Sequence, residues 1–136
     1  MARFFKNNFS DVLVTPEDSR VTPDGLELDI RLPWYRSLPL SVVMPSELLV
    51  DGQRVPLDGA SVEHEGRRYT LAELPEQVDA WWFIQDSVKL RVPLAAPLRD
   101  LVQRGPHEVT LTLHLFPPYI PMLTWVTRGS AHLQAA

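Results

Sequence analysis

Four histidines are the first residues to consider as catalytic or metal-binding groups. Metal sites built on one strand or helix place two ligands a few residues apart, and no pair of these histidines has such a spacing. His64 stands between Glu63 and Glu65, which indicates a charged hairpin tip. We therefore predict that all four are surface or capping residues, with the last of them in a frayed tail: His64, His107, His114 and His132.

Carboxylates could supply a general acid and base, and Glu27 and Asp29 share one face of a strand pattern. Exposure of that face to solvent explains the pair more simply than catalysis does. The six glycines form neither a G-x-G-x-x-G nor a Walker pattern, and no G-x-S-x-G surrounds a serine. We assign no catalytic residue and no metal ligand to this chain.

The unusual segments are aromatic, because all four tryptophans lie in residues 33–36 (PWYR), 81–83 (WWF) and 117–125 (PPYIPMLTW). One of Trp81 and Trp82 should point into the core. Prolines in the other two segments prevent continuous strand pairing, so we expect edges or loops there. Three interpretations remain open for these loops: a protein interface, a packed bend, or a platform that stacks on sugars.

Three segments with strict period-two alternation should position these loops: residues 26–32, 87–92 and 107–116. Each pattern predicts a half-buried antiparallel strand. Weaker strands are expected at residues 11–15, 41–44, 47–50, 53–56, 67–69 and 80–84, and Asp51-Gly52 predicts a type I′ hairpin turn. Helix signals are weak, and only residues 97–105 (PLRDLVQRG) suggest a short helix.

Frequent prolines between short apolar runs support an all-β fold. The chain contains 13 prolines in 136 residues, spread along its length, which is typical of many short elements and not of a linker. We predict an antiparallel β-sandwich with short loops and at most one short helix, and a closed barrel is the alternative. The whole chain, residues 1–136, is expected to form one domain, with residues 1–10 and 128–136 as extended tails or edge segments.

Composition narrows the class of protein. The net charge of −4 argues against a nucleic-acid partner, because phosphate-binding surfaces normally carry a basic excess. The absence of cysteine excludes disulfides, thiolate metal ligands and a cysteine nucleophile. No apolar run is long enough for a membrane span, and the N-terminal residues lack a signal-peptide core. We therefore expect a soluble, cytoplasmic protein.

The aromatic loops and turns resemble a known family. The run IRLPWYRSLPLS, the hairpin VDGQRVP, and then YTLAEL, WWF, HEVTLTLHL and PPYIPM are similar to the small subunit of bacterial C-glycoside deglycosidases. The similarity extends from about Val12 to Trp125. Its most specific parts are the proline-aromatic-arginine run and the VDG-x-x-VP hairpin, whereas the C-terminal VTRGSAHLQAA has no counterpart.

The resemblance implies a β-sandwich subunit that works with a larger TIM-barrel α subunit, in an assembly whose copy number stays open. That partner would carry a divalent metal such as manganese and a histidine base, and would hold most of the 3-oxo-C-glycoside substrate. The implied reaction is a carbon–carbon lyase step that separates the oxidised sugar from an aromatic aglycone such as a flavonoid. The metal would act as a Lewis acid on the enediolate, and this chain would hold no cofactor.

The family motif falls on the segments selected above as interface candidates. We predict that the partner is contacted by seven residues: Trp34, Tyr35, Arg36, Pro118, Tyr119, Pro121 and Trp125. Arg36 could bind a partner carboxylate or form a salt bridge within its own loop. Two other functions remain open: a stand-alone carbohydrate-binding module, and an accessory subunit of another sugar-isomerase-like enzyme.

Overall fold

The computed structural model describes residues 2–4, 13–120 and 122–133. Two short 3₁₀ helices, Leu40–Val42 and Leu71–Glu76, and one α-helix, α1 (Ala96–Val102), interrupt an otherwise β structure. The strands are β1 (Ala2–Phe4), β2 (Val14–Val21), β3 (Gly25–Arg31), β4 (Leu38–Pro39), β5 (Val43–Val50), β6 (Gln53–Val55), β7 (Ser61–His64), β8 (Arg67–Thr70), β9 (Trp81–Trp82), β10 (Ser87–Pro93), β11 (His107–Leu115) and β12 (Thr124–Leu133).

The strands form two five-stranded sheets and one small sheet. The first sheet has the order β1-β12-β11-β5-β6 and the second the order β2-β3-β10-β7-β8, while β4 pairs with β9. All described pairings are antiparallel except that of β1 with β12. Both large sheets have edge strands, so neither closes into a barrel. The predicted all-β sandwich is therefore confirmed, and the closed-barrel alternative is wrong.

Apolar residues at alternating positions form the core between the sheets. Leu28 and Leu90, which lie opposite each other in β3 and β10, are fully buried. Leu111 and Leu113 in β11 are buried in the same way. The three strongly alternating strands therefore present the predicted faces to the core, because burial of the apolar face fixes strand orientation.

The turn between β5 and β6 has the geometry that its sequence predicts. Asp51 and Gly52 both have positive φ, 50° and 83°, as a type I′ turn between β5 and β6 requires. Of the residues predicted as two strands, 43–44 and 47–50 are joined in β5, whereas 41–42 belong to the first 3₁₀ helix. Pro45 fits there because the register shifts near it, and a β-bulge tolerates a residue without an N–H.

Three of the described strands, β4, β7 and β12, were not predicted, and β1 lies within residues 1–10, which were expected as a tail or an edge segment. Residues 61–64 form β7, and the segment from Arg128 to Leu133, expected as a tail or an edge segment, is the second half of β12. This half pairs only with β11 among the described residues, so it is an edge segment, but Ala131 and Leu133 are buried and the tail interpretation is wrong. No helix in the described part of the chain is long and apolar enough to cross a membrane.

Candidate functional site

Two proline-containing loops emerge at the same end of the sandwich. The first follows β3 in one sheet, and the second connects β11 to β12 in the other. Arg31 lies opposite Ser87 at this end of β3, and Leu115 lies opposite Trp125 at this end of β11. The prolines stop the strands, so residues of both loops are free to meet across the end of the core.

The two loops join through an aromatic cluster. The rings of Trp34 and Trp125 are in contact edge to face, with centroids 5.3 Å apart and planes at 69°. Tyr35 lies tilted against Trp34 at 5.0 Å. Trp34 Nε1–H donates a hydrogen bond of 2.5 Å to the hydroxyl of Tyr119. We name the surface formed by Trp34, Tyr35, Arg36, Tyr119 and Trp125 the aromatic end.

The Tyr119 hydroxyl is the polar centre of this surface. It accepts from Trp34 and donates to the hydroxyl of Tyr35 at 3.2 Å. The hydrogen bond between the two hydroxyls raises the pKa of Tyr35 above its usual value. The aromatic end therefore offers hydroxyl groups and aromatic rings for hydrogen bonding and apolar contact.

Arg36 extends over the face of Tyr119, with its guanidinium carbon 4.7 Å from the ring centroid. A cation–π contact of this kind orients the guanidinium and leaves its N–H groups available. No ion pair connects Arg36 to a carboxylate in residues 13–120 or 122–133, so the alternative of a salt bridge within its own loop is not found there.

Burial divides the predicted interface residues into two groups. Trp34 is only 5% exposed and Trp125 is half-buried, whereas Tyr35 is 59% exposed and Arg36, Pro118 and Tyr119 are also exposed. Trp34 therefore packs beneath the exposed residues of its loop, as the packed-bend interpretation expects. It offers no open ring face to a sugar. Pro121 lies outside the described residues.

Further apolar side chains extend the exposed surface, although they were not selected from the sequence. The Ile84 N–H donates to Ser37 Oγ at 3.0 Å, which places residues 83–86 beside the first loop. One of the two adjacent tryptophans points into the core, as predicted: Trp82 is buried and Trp81 is exposed. The exposed members of this extension are Trp81, Phe83, Ile84, Phe116 and Met122. The WWF run was the available signal, but periodicity alone did not show which of its rings faces outward.

The histidines are not grouped. His64 lies beside the predicted hairpin turn at Glu65 and Gly66, but it is buried, so the predicted surface position is wrong. His132 is exposed on β12 and does not lie in a tail. His107 is a capping residue as predicted, since its two ring nitrogens face Asp51 Oδ2 at 2.5 Å and the Leu101 carbonyl at 2.8 Å. Burial lowers the pKa of His114, which favours the neutral imidazole.

Glu27 and Asp29 are not solvated, contrary to expectation. Glu27 is 5% exposed and Asp29 is 1% exposed. Lys89, directly opposite Asp29 in the register, approaches its Oδ1 at 2.9 Å, and Arg91 lies opposite Glu27 at 3.0 Å. These pairs neutralise buried carboxylates, which is a structural role.

The donor groups needed for a metal centre are not brought together. Within the described ranges, no three His, Cys, Asp or Glu side chains are placed to hold a metal ion. This part of the chain therefore does not fit a divalent cation, and we derive no metal chemistry from it.

Residues 7–119 match the family model described as C-glycoside deglycosidase beta subunit. A protein of that name from Microbacterium trichothecenolyticum is 40% identical over 106 residues, which cover 76% of this chain and 77% of the relative. A namesake from Arthrobacter globiformis is 36% identical over 114 residues, or 84% of this chain and 86% of the relative. The 3'-dehydrocarminate deglycosidase beta subunit of a Microbacterium species is 34% identical over 107 residues, or 78% and 77%.

Proposed function

The chain belongs to the C-glycoside deglycosidase beta subunit family, and we propose that it is the non-catalytic small subunit of a carbon–carbon lyase. Its partner in this proposal is a TIM-barrel α subunit that carries the catalytic groups and a divalent metal such as manganese. The observation that carries the proposal is the family match over residues 7–119, which includes Trp34, Tyr35, Arg36, Pro118 and Tyr119.

The proposed substrate is an aromatic C-glycoside whose sugar carries a ketone at C3. The ketone acidifies the proton on C2; loss of that proton and formation of the C1–C2 double bond allow the C1–aglycone bond to break, and the aglycone carbon takes up a proton. One relative is named for a 3'-dehydro compound, which supports an oxidised substrate. A flavonoid aglycone and a cytoplasmic location are further parts of the proposal.

The aromatic end is the surface that we assign to the partner. Tyr35, Arg36, Pro118 and Tyr119 are exposed and come from two loops that are held together by the Trp34–Tyr119 hydrogen bond. Tyrosine and arginine are enriched among residues that dominate binding energy, and a pre-formed surface loses little conformational entropy on binding. The guanidinium of Arg36, which lies over the Tyr119 ring and also interacts with Tyr35, is suited to a carboxylate of the partner.

The subunit role is tested by co-expression with a gene for a barrel-type α subunit. We expect a complex that survives size-exclusion chromatography and cleaves a 3-oxo-C-glycoside, whereas the purified chain alone should have no activity. Full turnover by the barrel protein without this chain would refute the subunit role. Metal analysis of the complex and of each separate chain tests the assignment of the metal to the partner.

A stand-alone carbohydrate-binding module is less well supported, because Trp34 is buried and Trp125 is packed against it. Such a module needs an open aromatic face. Quenching of tryptophan fluorescence by sugars, lost in Trp125→Ala, is the result that would revive this alternative.

A further inference from the structure

A cavity of about 530 Å³ lies at the end of the second sheet opposite the aromatic end. The turn between β2 and β3, the end of β10 and residues 59–61 surround it. Gly25 pairs with Pro93 here, six residues along β3 from the Arg31–Ser87 pair at the aromatic end. That is a separation of roughly 20 Å. A site here is thus remote from the proposed partner surface, and its volume lies within the range of small-molecule sites.

Three arginines are among the residues that line this cavity: Arg20, Arg68 and Arg91. They come from three strands, β2, β8 and β10. The exposed apolar part of the lining is formed by Pro23 and Pro93. The cavity therefore combines arginine side chains with a small apolar surface.

Two carboxylates outside the cavity lining hold these guanidiniums. Glu27 accepts from Arg20 Nε at 2.7 Å and contacts Arg91 Nη2 at 3.0 Å. Glu63 accepts from Arg91 Nη2 at 3.2 Å and lies 4.0 Å from Arg68 Nη2. Because the pairs fix the guanidiniums in advance, a ligand does not have to order them.

One donor near the cavity is unpaired. Arg91 Nε has no hydrogen-bond partner in the described part of the chain, but the atom is buried and does not itself open into the cavity. Asp24 also lines the cavity, and its negative charge opposes an anion. Ser61 contributes a hydroxyl to the same lining.

We propose that this cavity binds a small molecule with an oxyanion, a carboxylate or a phosphate, attached to an apolar body. Guanidinium groups recognise both oxyanions through paired N–H donors. The apolar body would lie against Pro23 and Pro93. Asp24 would weaken the binding of the oxyanion, so its removal should strengthen it.

The test is NMR titration of the full chain at constant ionic strength with benzoate, inorganic phosphate and, as a neutral control, benzyl alcohol. We expect benzoate to shift the backbone amides of Ser61 and Arg91 and to bind at least tenfold more tightly than benzyl alcohol. Phosphate should shift the same amides, and a tighter Kd for benzoate supports the apolar contact.

Substitutions distinguish binding at this cavity from a general effect of the protein's charge on anion binding. Arg20 and Arg91 pair with buried Glu27, so the informative change is at Arg68, whose nearest carboxylate is that of the partly exposed Glu63. Arg68→Gln should raise the benzoate Kd about tenfold, or about 1.4 kcal/mol, and Asp24→Asn should lower it. Arg67→Gln is the matched control, because Arg67 is the adjacent residue of β8 and is not part of this lining. Equal effects of Arg67→Gln and Arg68→Gln, or equal binding of benzoate and benzyl alcohol, would overturn the proposal.

Discussion

The indole N–H of Trp34 and the hydroxyl of Tyr119, 85 positions apart in sequence, are joined by a hydrogen bond of 2.5 Å. Trp34 follows a strand of one sheet and Tyr119 follows a strand of the other. This one bond therefore fixes the relative position of the two loops that form the aromatic end. Loss of this hydrogen bond should change both the free energy of unfolding and the affinity for the partner, by different factors.

Tyr119→Phe tests the contribution of this bond to stability. The change keeps the ring but leaves the buried Trp34 N–H without its acceptor, so the free energy of unfolding should fall by about 1–3 kcal/mol. Urea denaturation followed by tryptophan fluorescence measures the change. Tyr35→Phe is the control, because the exposed Tyr35 hydroxyl is not bonded to Trp34, and its effect should stay below about 0.5 kcal/mol. Equal stability of Tyr119→Phe and the unchanged protein would contradict this interpretation.

Arg36→Ala and Tyr35→Ala test the proposed interface. Both side chains are exposed, so the isolated fold should survive, whereas the Kd for the barrel partner should rise at least about tenfold for each, as for residues near an interface centre. Binding is measured by isothermal titration calorimetry with the purified partner. Arg104→Ala, at an exposed turn beyond α1, changes charge equally and should leave the Kd within about twofold. If the Arg104 variant binds as poorly as the Arg36 variant, the partner does not use the aromatic end.

The buried carboxylate Glu27 predicts unequal roles for its two arginine partners. The side chain of Arg91 is half as exposed as that of Arg20, and Arg91 also reaches Glu63. Arg91→Gln should therefore lower the free energy of unfolding by about 2 kcal/mol, below the value for a fully buried pair because Arg91 is partly solvated. Arg20→Gln should cost less than about 1 kcal/mol. Comparable denaturation midpoints for the two variants would show that Arg91 does not stabilise the buried Glu27 carboxylate more than Arg20 does.

The contact between Asp51 and His107 predicts a pH dependence of stability. The hydrogen bond from His107 lowers the pKa of Asp51, with a further contribution from the Glu108 N–H. A carboxyl whose folded-state pKa is lowered stabilises the fold above its unfolded-state pKa of about 3.9, and this contribution is lost as pH falls through the folded-state pKa. Asp51→Asn keeps a residue that tolerates positive φ.

Denaturation of the unchanged protein and of Asp51→Asn at pH 6 and at steps down to pH 2 measures this contribution. The difference in unfolding free energy should be present at pH 6 and decrease below about pH 4. A difference that is constant over this range would mean that turn geometry, and not the charge of Asp51, is responsible.

The sequence-based prediction of the fold succeeded where burial of one strand face dictates a period of two. Strands β3, β10 and β11 were found for that reason. Strand β12 was missed because small residues occupy inward positions, Gly129 opposite Leu111 and Ala131 opposite Val109, so its alternation has little apolar contrast.

The same periodicity identified the polar face of β3 but not what covers it. Pairing between β2 and β3 is interrupted between Thr15 and Arg20. Ser19 Oγ accepts from the Asp29 N–H at 2.8 Å, so this segment lies against the face expected to be solvated. Such coverage depends on an irregular segment, for which no sequence period exists.

For the candidate site, composition indicated which loops are unusual but not how they meet. The aromatic and proline content of residues 33–36 and 117–125 selected five residues that the structure brings together. The division into buried Trp34 and exposed Tyr35 could not be predicted, because it depends on contacts between segments far apart in sequence.

Strand β12 lies between β1 and β11 in its sheet, and it is the last strand described. Among the described strands β1 pairs only with β12, so during synthesis this pairing cannot form until the ten residues of β12 have left the ribosome. The last strand of the second sheet to be synthesised is β10, so that sheet can be complete before β12 emerges. Completion of the first sheet thus requires contacts between distant parts of the chain, a topology that slows folding and prolongs the exposure of unpaired strand edges.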